Sequence, residues 1–365
     1  MRKSVKLISV NIALLALLLQ VAGILISYHH FAVMRERFVN KGKGRKAILF
    51  EKLFLGWYVE NRPLPQNFIV KDDDVTLYWN KPGQYTMSIF DRDYTIETDS
   101  LGIRKGNRKQ TNTGTPVMVL GDSHAWGMGV DDDQTFTYIL NQSSDYDFTS
   151  ISCSSFGTPR EFLKASQMIR KGIVEKPSVL VIQYCSNDRK ENQIFVRNGL
   201  QYRPSLYEKP AAPSFSWGKV YQAMPLIFRP SEWPNDFLLE VLGLFNGKVD
   251  FATDEQSPLS ESHLSLICGH FLAQEEFSNV EKVILTMVSP PKHEKEELFR
   301  SNEKMMTDCA DHLRRTFGKE VEFLRQGDYD KIGDEYFEID EHLNETGHKR
   351  FAAMIMRSLD KGGTR

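Results

Sequence analysis

Pro116-Val-Met-Val-Leu-Gly-Asp-Ser-His-Ala-Trp-Gly127 is the stretch whose reading decides the fold. Val117 to Leu120 form a short, unbroken apolar run, the pattern of a strand buried on both faces. Gly121-Asp122-Ser123 follows at once, and a glycine-bearing turn comes next. In open α/β sheets, ligands sit just beyond the carboxyl ends of the strands. Ser123 is thereby placed where a hydroxyl can meet a substrate. Taken alone, a Gly-Asp-Ser turn more often only satisfies its own backbone, so the rest of the chain has to decide its role.

Working outward, strand-like runs recur at residues 146–153, 179–184, 280–288 and 320–324. Helical spacing falls between them at 135–141, 159–171, 260–276 and 295–317, and a last helix runs to about Leu359. This alternation predicts an α/β fold with a parallel five-stranded sheet and right-handed crossovers. Between residues 189 and 279, scattered prolines and aromatics loosen the pattern. A structureless stretch of that length is unusual in a compact domain and reads as an insertion that shapes a site. Upstream, strand-like pieces at 75–79, 85–90 and 94–98 predict a small β-containing extension within residues 29–115. The polar stretch from Arg104 to Thr115 reads as a surface loop. Asp131 to Asp133 could suggest a cation site, but acidic residues at a helix N-terminus account for them better.

Composition bounds the function. The 365 residues are 41% hydrophobic and 26% charged, enough for one large domain with additions or for two domains. A net charge of -2 excludes a general nucleic-acid binder, which would carry a basic excess. Cys153, Cys185, Cys268 and Cys309 lack metal-ligand spacing, so no metal is implied. Free buried thiols are the favoured reading, and a single bridge is the alternative. Nothing points to an organic cofactor.

Residues 1–6 are a short basic tail, and Leu7 to Tyr28 follows with no charged residue. At 1.5 Å per residue that stretch matches the roughly 30 Å hydrocarbon core, so it is read as a single transmembrane anchor. A cleaved signal peptide is the competing reading, against which stands the absence of a clear cleavage site. Basic residues follow the span as well as precede it. Counted literally they would leave the globular part in the cytoplasm. The tail nevertheless resembles an export signal, and an extracytoplasmic domain is expected. The run 41–46 is a solvated linker or a headgroup-binding patch.

A serine hydroxyl is a poor nucleophile at neutral pH and needs a base within hydrogen-bond reach. His342, in a polar loop before the last helix, is the candidate, with Asn344 or Thr346 capping that helix. A carboxylate that orients the imidazole would come from Asp340, with Glu338 and Glu341 as alternatives. Donors for a developing oxyanion stand at strand ends: the backbone N–H of Ser123, the N–H of Gly157 and the side-chain amide of Asn187. His124 takes a substrate-facing or structural part, and Asp188 is assigned to face the substrate.

Gly121-Asp122-Ser123, Gly157, Asn187-Asp188 and Asp340-x-His342 together resemble the SGNH/GDSL hydrolase superfamily, in matching order. The resemblance covers residues 116–359, the insertion excepted. Thr98-Asp-Ser-Leu-Gly-Ile-Arg104 and the run from Gly127 to Phe136 are similar to a bacterial subgroup. The resemblance implies a flavodoxin-like three-layer α/β/α sandwich with Ser123 as nucleophile and His342 as base. Ser123, Gly157 and Asn187 would then form the oxyanion hole. The family's usual acid lies three residues before its histidine, where this chain has Ile339. Asp340 matches a variant spacing, and if it cannot reach the ring the site works as a dyad.

The expected function is a membrane-anchored serine esterase acting through an acyl-enzyme on an O-acylated envelope glycan or related ester. One rival is an O-acyltransferase using the same serine. Another is a non-catalytic glycan-binding or assembly protein that keeps the scaffold.

Overall fold

The computed structural model describes Leu18 and residues 69–72, 76–89, 92–108, 114–203, 263–289, 296–337 and 342–362. One compact unit comprises Leu64–Ser88, Asp93–Glu208 and Pro258–Arg365. The other, Met1–Pro63, Ile89–Arg92 and Lys209–Ser257, lies almost wholly outside the described residues. The expected span from Leu7 to Tyr28 (Leu18 apart), the basic linker and residues 204–262 of the expected insertion lie outside them too. Among the described residues, no helix is long and apolar enough to cross a membrane.

Among the described residues, the extension holds two two-stranded sheets: β1 (Ile69–Asp72) antiparallel to β2 (Leu77–Asn80), and β3 (Gly83–Ile89) with β4 (Arg92–Thr98). Three of the four strands were expected close to these positions; β1 was not. β2 is joined to the main domain through Trp79 Nε1, which donates to the Leu101 carbonyl at 2.8 Å. Asn80 Nδ2 donates to the Ser152 carbonyl at 3.0 Å.

The main sheet contains β5 (Thr115–Gly121), β6 (Tyr146–Ser152), β7 (Val179–Cys185), β8 (Lys282–Val288) and β9 (Glu320–Leu324). All pairings are parallel, in the order β6-β5-β7-β8-β9. Every residue of β7 and β8 is buried, because helices cover both faces of the central strands. That is why these strands read as unbroken apolar runs.

Among the described residues the α-helices are α1 (Ser123–Trp126), α2 (Phe136–Ser143), α3 (Thr158–Arg170), α4 (Asp188–Arg197), α5 (His263–Leu272), α6 (Glu296–Phe317) and α7 (Glu345–Gly362). The first crossover runs outward from β5 to β6, and the later ones run the opposite way across the sheet. Right-handed crossovers then put their helices on opposite faces. Accordingly α2 packs with α7, where the Phe136 and Phe351 rings lie 6.0 Å apart. On the other face α3, α4 and α5 meet, with Phe162 stacked on Phe271 at 4.7 Å and Phe195 on Phe271 at 5.8 Å. α6 packs against α5, β8 and β9.

One boundary differs from expectation. The stretch read as insertion from residue 189 opens with α4, which is packed into the domain. Its buried positions are Asp188, Asn192 and Phe195, so two of the three inward residues are polar and leave no apolar periodicity to read. All four cysteines are free and buried.

His348, on α7, is fully buried and its Nδ1 accepts from the Phe136 N–H at 3.2 Å. Burial, reinforced by the positive potential of Arg104, His124 and His342, lowers its pKa from 6.5 to about 3. The neutral ring therefore carries its proton on Nε2. An unfolded chain takes up a proton at this residue below pH 6.5, and the native fold does so only below about 3. Stability is lost as pH falls through that window, at up to about 1.4 kcal/mol per pH unit. His348→Gln keeps an acceptor for Phe136, and its melting temperature should fall less steeply than that of the wild type across the window. Parallel curves for the two proteins would remove His348 as a source of acid sensitivity.

Candidate active site

β5 and β7 flank the point where the strand order reverses, which is where open α/β sheets leave a crevice. The chain leaves β5 at Gly121 and turns through Asp122, and Ser123 begins α1. Asp122 is fully buried. Its Oδ1 accepts from the His124 N–H at 2.9 Å, and its Oδ2 accepts from Asn187 Nδ2 at 3.1 Å. Burial raises its pKa, against the opposing effects of the His124 N–H bond and the nearby His342. The middle residue of the Gly-Asp-Ser motif is thus the tie between the end of β5 and the start of α4.

The segment after α1 is held from inside by Arg104, which is 1% exposed. Its Nη1 donates to the carbonyls of Trp126 at 3.0 Å and Gly127 at 2.6 Å, and its Nη2 to that of Val130 at 2.6 Å. Its Nε pairs with Asp132 Oδ1 at 2.5 Å. This corrects the reading of the stretch from Arg104 as a surface loop: a guanidinium with every edge paired can be buried, and Asn107 is buried beside it. The acidic run stands at a helix N-terminus as expected, Asp131 forming a capping box with Gln134 at the start of the 3-10 helix Asp132–Gln134, and it has a second use. Asp131 Oδ1 accepts from the Thr95 N–H at 2.7 Å and Asp132 Oδ2 from the Glu97 N–H at 2.8 Å, so both bind the backbone of β4.

His342 comes to the serine from the far end of the chain, with Nε2 2.8 Å from Ser123 Oγ. The Phe337 N–H donates to the His342 carbonyl at 2.9 Å and closes the turn that carries it. Asn344 then caps α7, its Oδ1 accepting from the N–H groups of Thr346 at 2.9 Å and Gly347 at 3.0 Å. Its Nδ2 donates to the carbonyls of Asp334 and Tyr336, both at 2.8 Å. Phe337 lies against Gly129, whose φ is +92°; a Cβ there would fall 2.5 Å from the Phe337 ring. Asp340, and with it Glu338 and Glu341, lies outside the described residues.

The three expected donors stand at one end of the sheet. Ser123 is the first residue of α1, and its N–H has no partner within the helix. Gly157 is the N-cap of α3 and Asn187 the N-cap of α4. His124 and Asp188 are each 1% exposed. The His124 ring lies 4.7 Å from that of His342, and Asp188 Oδ2 accepts from the Cys185 N–H at 3.2 Å. Burial, with the charge of Asp122 adding to it, raises the Asp188 pKa well above the ordinary carboxylate range. A carboxyl so enclosed is part of the wall behind the site. Asp122, His124 and Cys185 each offer an atom within 4.8 Å of the others, a spacing a metal ion could use. Both oxygens of Asp122 already accept hydrogen bonds there.

Sequence reading missed Arg104 and Asp122 as anchors. The first stood inside the Thr98–Arg104 motif and the second inside the Gly-Asp-Ser motif itself.

No family model matches the chain, and no curated protein matches it. Solved structures resemble it. A member of the lipolytic G-D-S-L family from Veillonella parvula aligns at 13% identity with a TM-score of 0.36, over 67% of this chain and 97% of its own. An extracellular lipase from Streptomyces rimosus aligns at 9% identity with a TM-score of 0.34, over 67% and 99%. A salicylyl-acyltransferase from a tetracycline biosynthetic pathway aligns at 13% identity with a TM-score of 0.35, over 70% and 57%.

Arg104→Met would remove the guanidinium donor from the carbonyls of Trp126, Gly127 and Val130 and the charged partner of Asp132. It is expected to cost about 3–5 kcal/mol of unfolding free energy, read from the urea midpoint. A loss under about 1 kcal/mol would mean the loop after α1 is held by other contacts.

Proposed function

We propose that this protein is a serine ester hydrolase of the SGNH/GDSL kind, working through a covalent acyl-enzyme at Ser123. The observation that carries the reading is the 2.8 Å contact between His342 Nε2 and Ser123 Oγ, made across 219 residues of chain. A base at hydrogen-bond distance is what a serine hydroxyl needs to attack an ester carbonyl.

In the proposed reaction His342 Nε2 takes the hydroxyl proton as Ser123 Oγ bonds to the carbonyl carbon. The oxyanion that forms is met by the N–H groups of Ser123 and Gly157 and by the Asn187 amide. One Asn187 N–H is bonded to Asp122, which fixes the amide plane and leaves the other free to turn to the oxyanion. Collapse expels the alcohol, protonated by His342, and leaves the acyl group on Ser123. Water, activated by the same imidazole, then releases the acid. Asp340 is the proposed orienter of the ring.

The substrate proposed is an O-acylated glycan of the cell envelope or a related ester, and the protein is proposed to be held at a membrane by Leu7 to Tyr28 with its catalytic domain outside the cytoplasm. The support is the uncharged length of that segment, which suits a bilayer span.

Hydrolysis of p-nitrophenyl acetate by the purified protein tests the reading. Ser123→Ala and His342→Ala should each lower kcat/KM at least about a thousandfold. Activity retained by Ser123→Ala would refute it. Adding a glycan acceptor separates the two fates of the acyl group: esterified glycan formed faster than free acetate would make the enzyme a transferase.

A further inference from the structure

Gly157 and Asn187, two of the proposed oxyanion donors, stand at the starts of neighbouring helices. About one turn into each helix the chain places an opposite charge, Arg160 on α3 and Glu191 on α4. They form a two-point pair with little exposure, Arg160 Nε donating to Glu191 Oε1 at 2.8 Å and Nη2 to Oε2 at 2.6 Å. The same Nη2 donates to the Ser155 carbonyl at 2.5 Å. Ser155 has φ +61°, a left-handed conformation that a residue other than glycine keeps only when its surroundings hold it. Tyr78, from β2, places its hydroxyl 3.1 Å from the Ser154 carbonyl and 3.3 Å from that of Ser155. The guanidinium lies over the Phe156 ring at 4.6 Å and the Tyr78 ring at 5.1 Å.

Glu191 completes the contact from the other side. Its stem lies directly on Gly157, where an added Cβ would come within 2.8 Å of Glu191 Cβ and Cδ. The glycine admits the glutamate, and the glutamate holds the arginine that ties down the loop before the glycine. Burial works against the charge on Arg160, but the bonds and charge of Glu191 outweigh it and raise its pKa. The guanidinium is therefore always charged and its fork is rigid.

We infer that the Arg160–Glu191 pair is a positioning device that sets the Gly157 N–H and the Asn187 amide at a fixed separation for the oxyanion. It rests on the hydrolase reading and adds to it two residues that touch neither the substrate nor Ser123. Donors shifted by a fraction of an ångström lose transition-state stabilisation while leaving ground-state binding nearly intact. A pair serving only to join two helices would change the melting temperature and leave the kinetics alone.

The test is steady-state hydrolysis of p-nitrophenyl acetate by Arg160→Lys, Glu191→Gln and Tyr78→Phe. A lysine keeps the charge but cannot bond both carboxylate oxygens and the Ser155 carbonyl through one planar fork. Arg160→Lys and Glu191→Gln should lower kcat by about tenfold or more with KM within about twofold, as expected for misplaced donors. The pH at which kcat/KM is half-maximal should not move, since Ser123 and His342 are untouched. Tyr78→Phe keeps the ring under Arg160 and removes only the hydroxyl, and should lower kcat a few-fold. If Arg160→Lys does not fold, Tyr78→Phe and Glu191→Gln decide the matter. Folded variants with wild-type kcat, or a loss confined to KM, would overturn the inference. A wild-type protein without Ser123-dependent turnover would bring down the hydrolase reading first and the inference with it.

Discussion

One hydrogen bond, from Ser123 to His342, joins the first strand of the main sheet to the last helix of the chain, and the fold holds both of its ends. At the serine end β5 stops where the strand order reverses, Asp122 ties that end to α4, and Arg104 grips the carbonyls that follow. At the histidine end the Phe337–His342 bond closes the turn and Asn344 locks it onto α7. α7 in turn packs on α2, where His348 meets Phe136. Ser123 and His342 therefore sit on elements that cannot move apart without unpairing buried groups.

Those buried groups are unusually polar for a sheet end. A charge taken out of water is costly unless its hydrogen bonds are all remade, and removing one partner is costlier still. Arg104, Arg160 and Asp122 each have several of their hydrogen bonds remade, and each bonds to backbone or side chains of a loop next to Ser123. Their value is geometric: they fix where loops run. The N-terminal extension belongs to the same scheme. β2 supplies Tyr78 to the loop before Gly157, and β4 is bonded by the two aspartates beside Arg104. The extension is thereby hydrogen-bonded into two loops of the main domain.

All five apolar runs are strands of the sheet, and β7 and β8 are the clearest in the sequence because burial on both faces leaves a mark along the chain. α3, α6 and α7 were legible from one apolar stripe each. α4 was not, since its inward face offers Asp188 and Asn192. Arg104 was read as part of a solvated loop because an arginine in a polar stretch looks the same whether water or carbonyls surround it. His124 and Asp188 are each almost wholly buried, which their neighbours in sequence do not reveal. Ser123 and His342 were named from motif order and from what the chemistry requires, and their meeting depends on no local pattern. Partner identity is a property of the packed chain, and short motifs report it only when their order is preserved.

The central claim is that Ser123 is a nucleophile activated by His342. Covalent labelling with a fluorophosphonate, followed by mass spectrometry of the digested protein, measures it most directly. The account predicts one adduct, on the peptide that carries Ser123, forming far more slowly in His342→Ala. Labelling that persists undiminished in Ser123→Ala, or an intact wild-type protein that takes up no phosphonate, would contradict it.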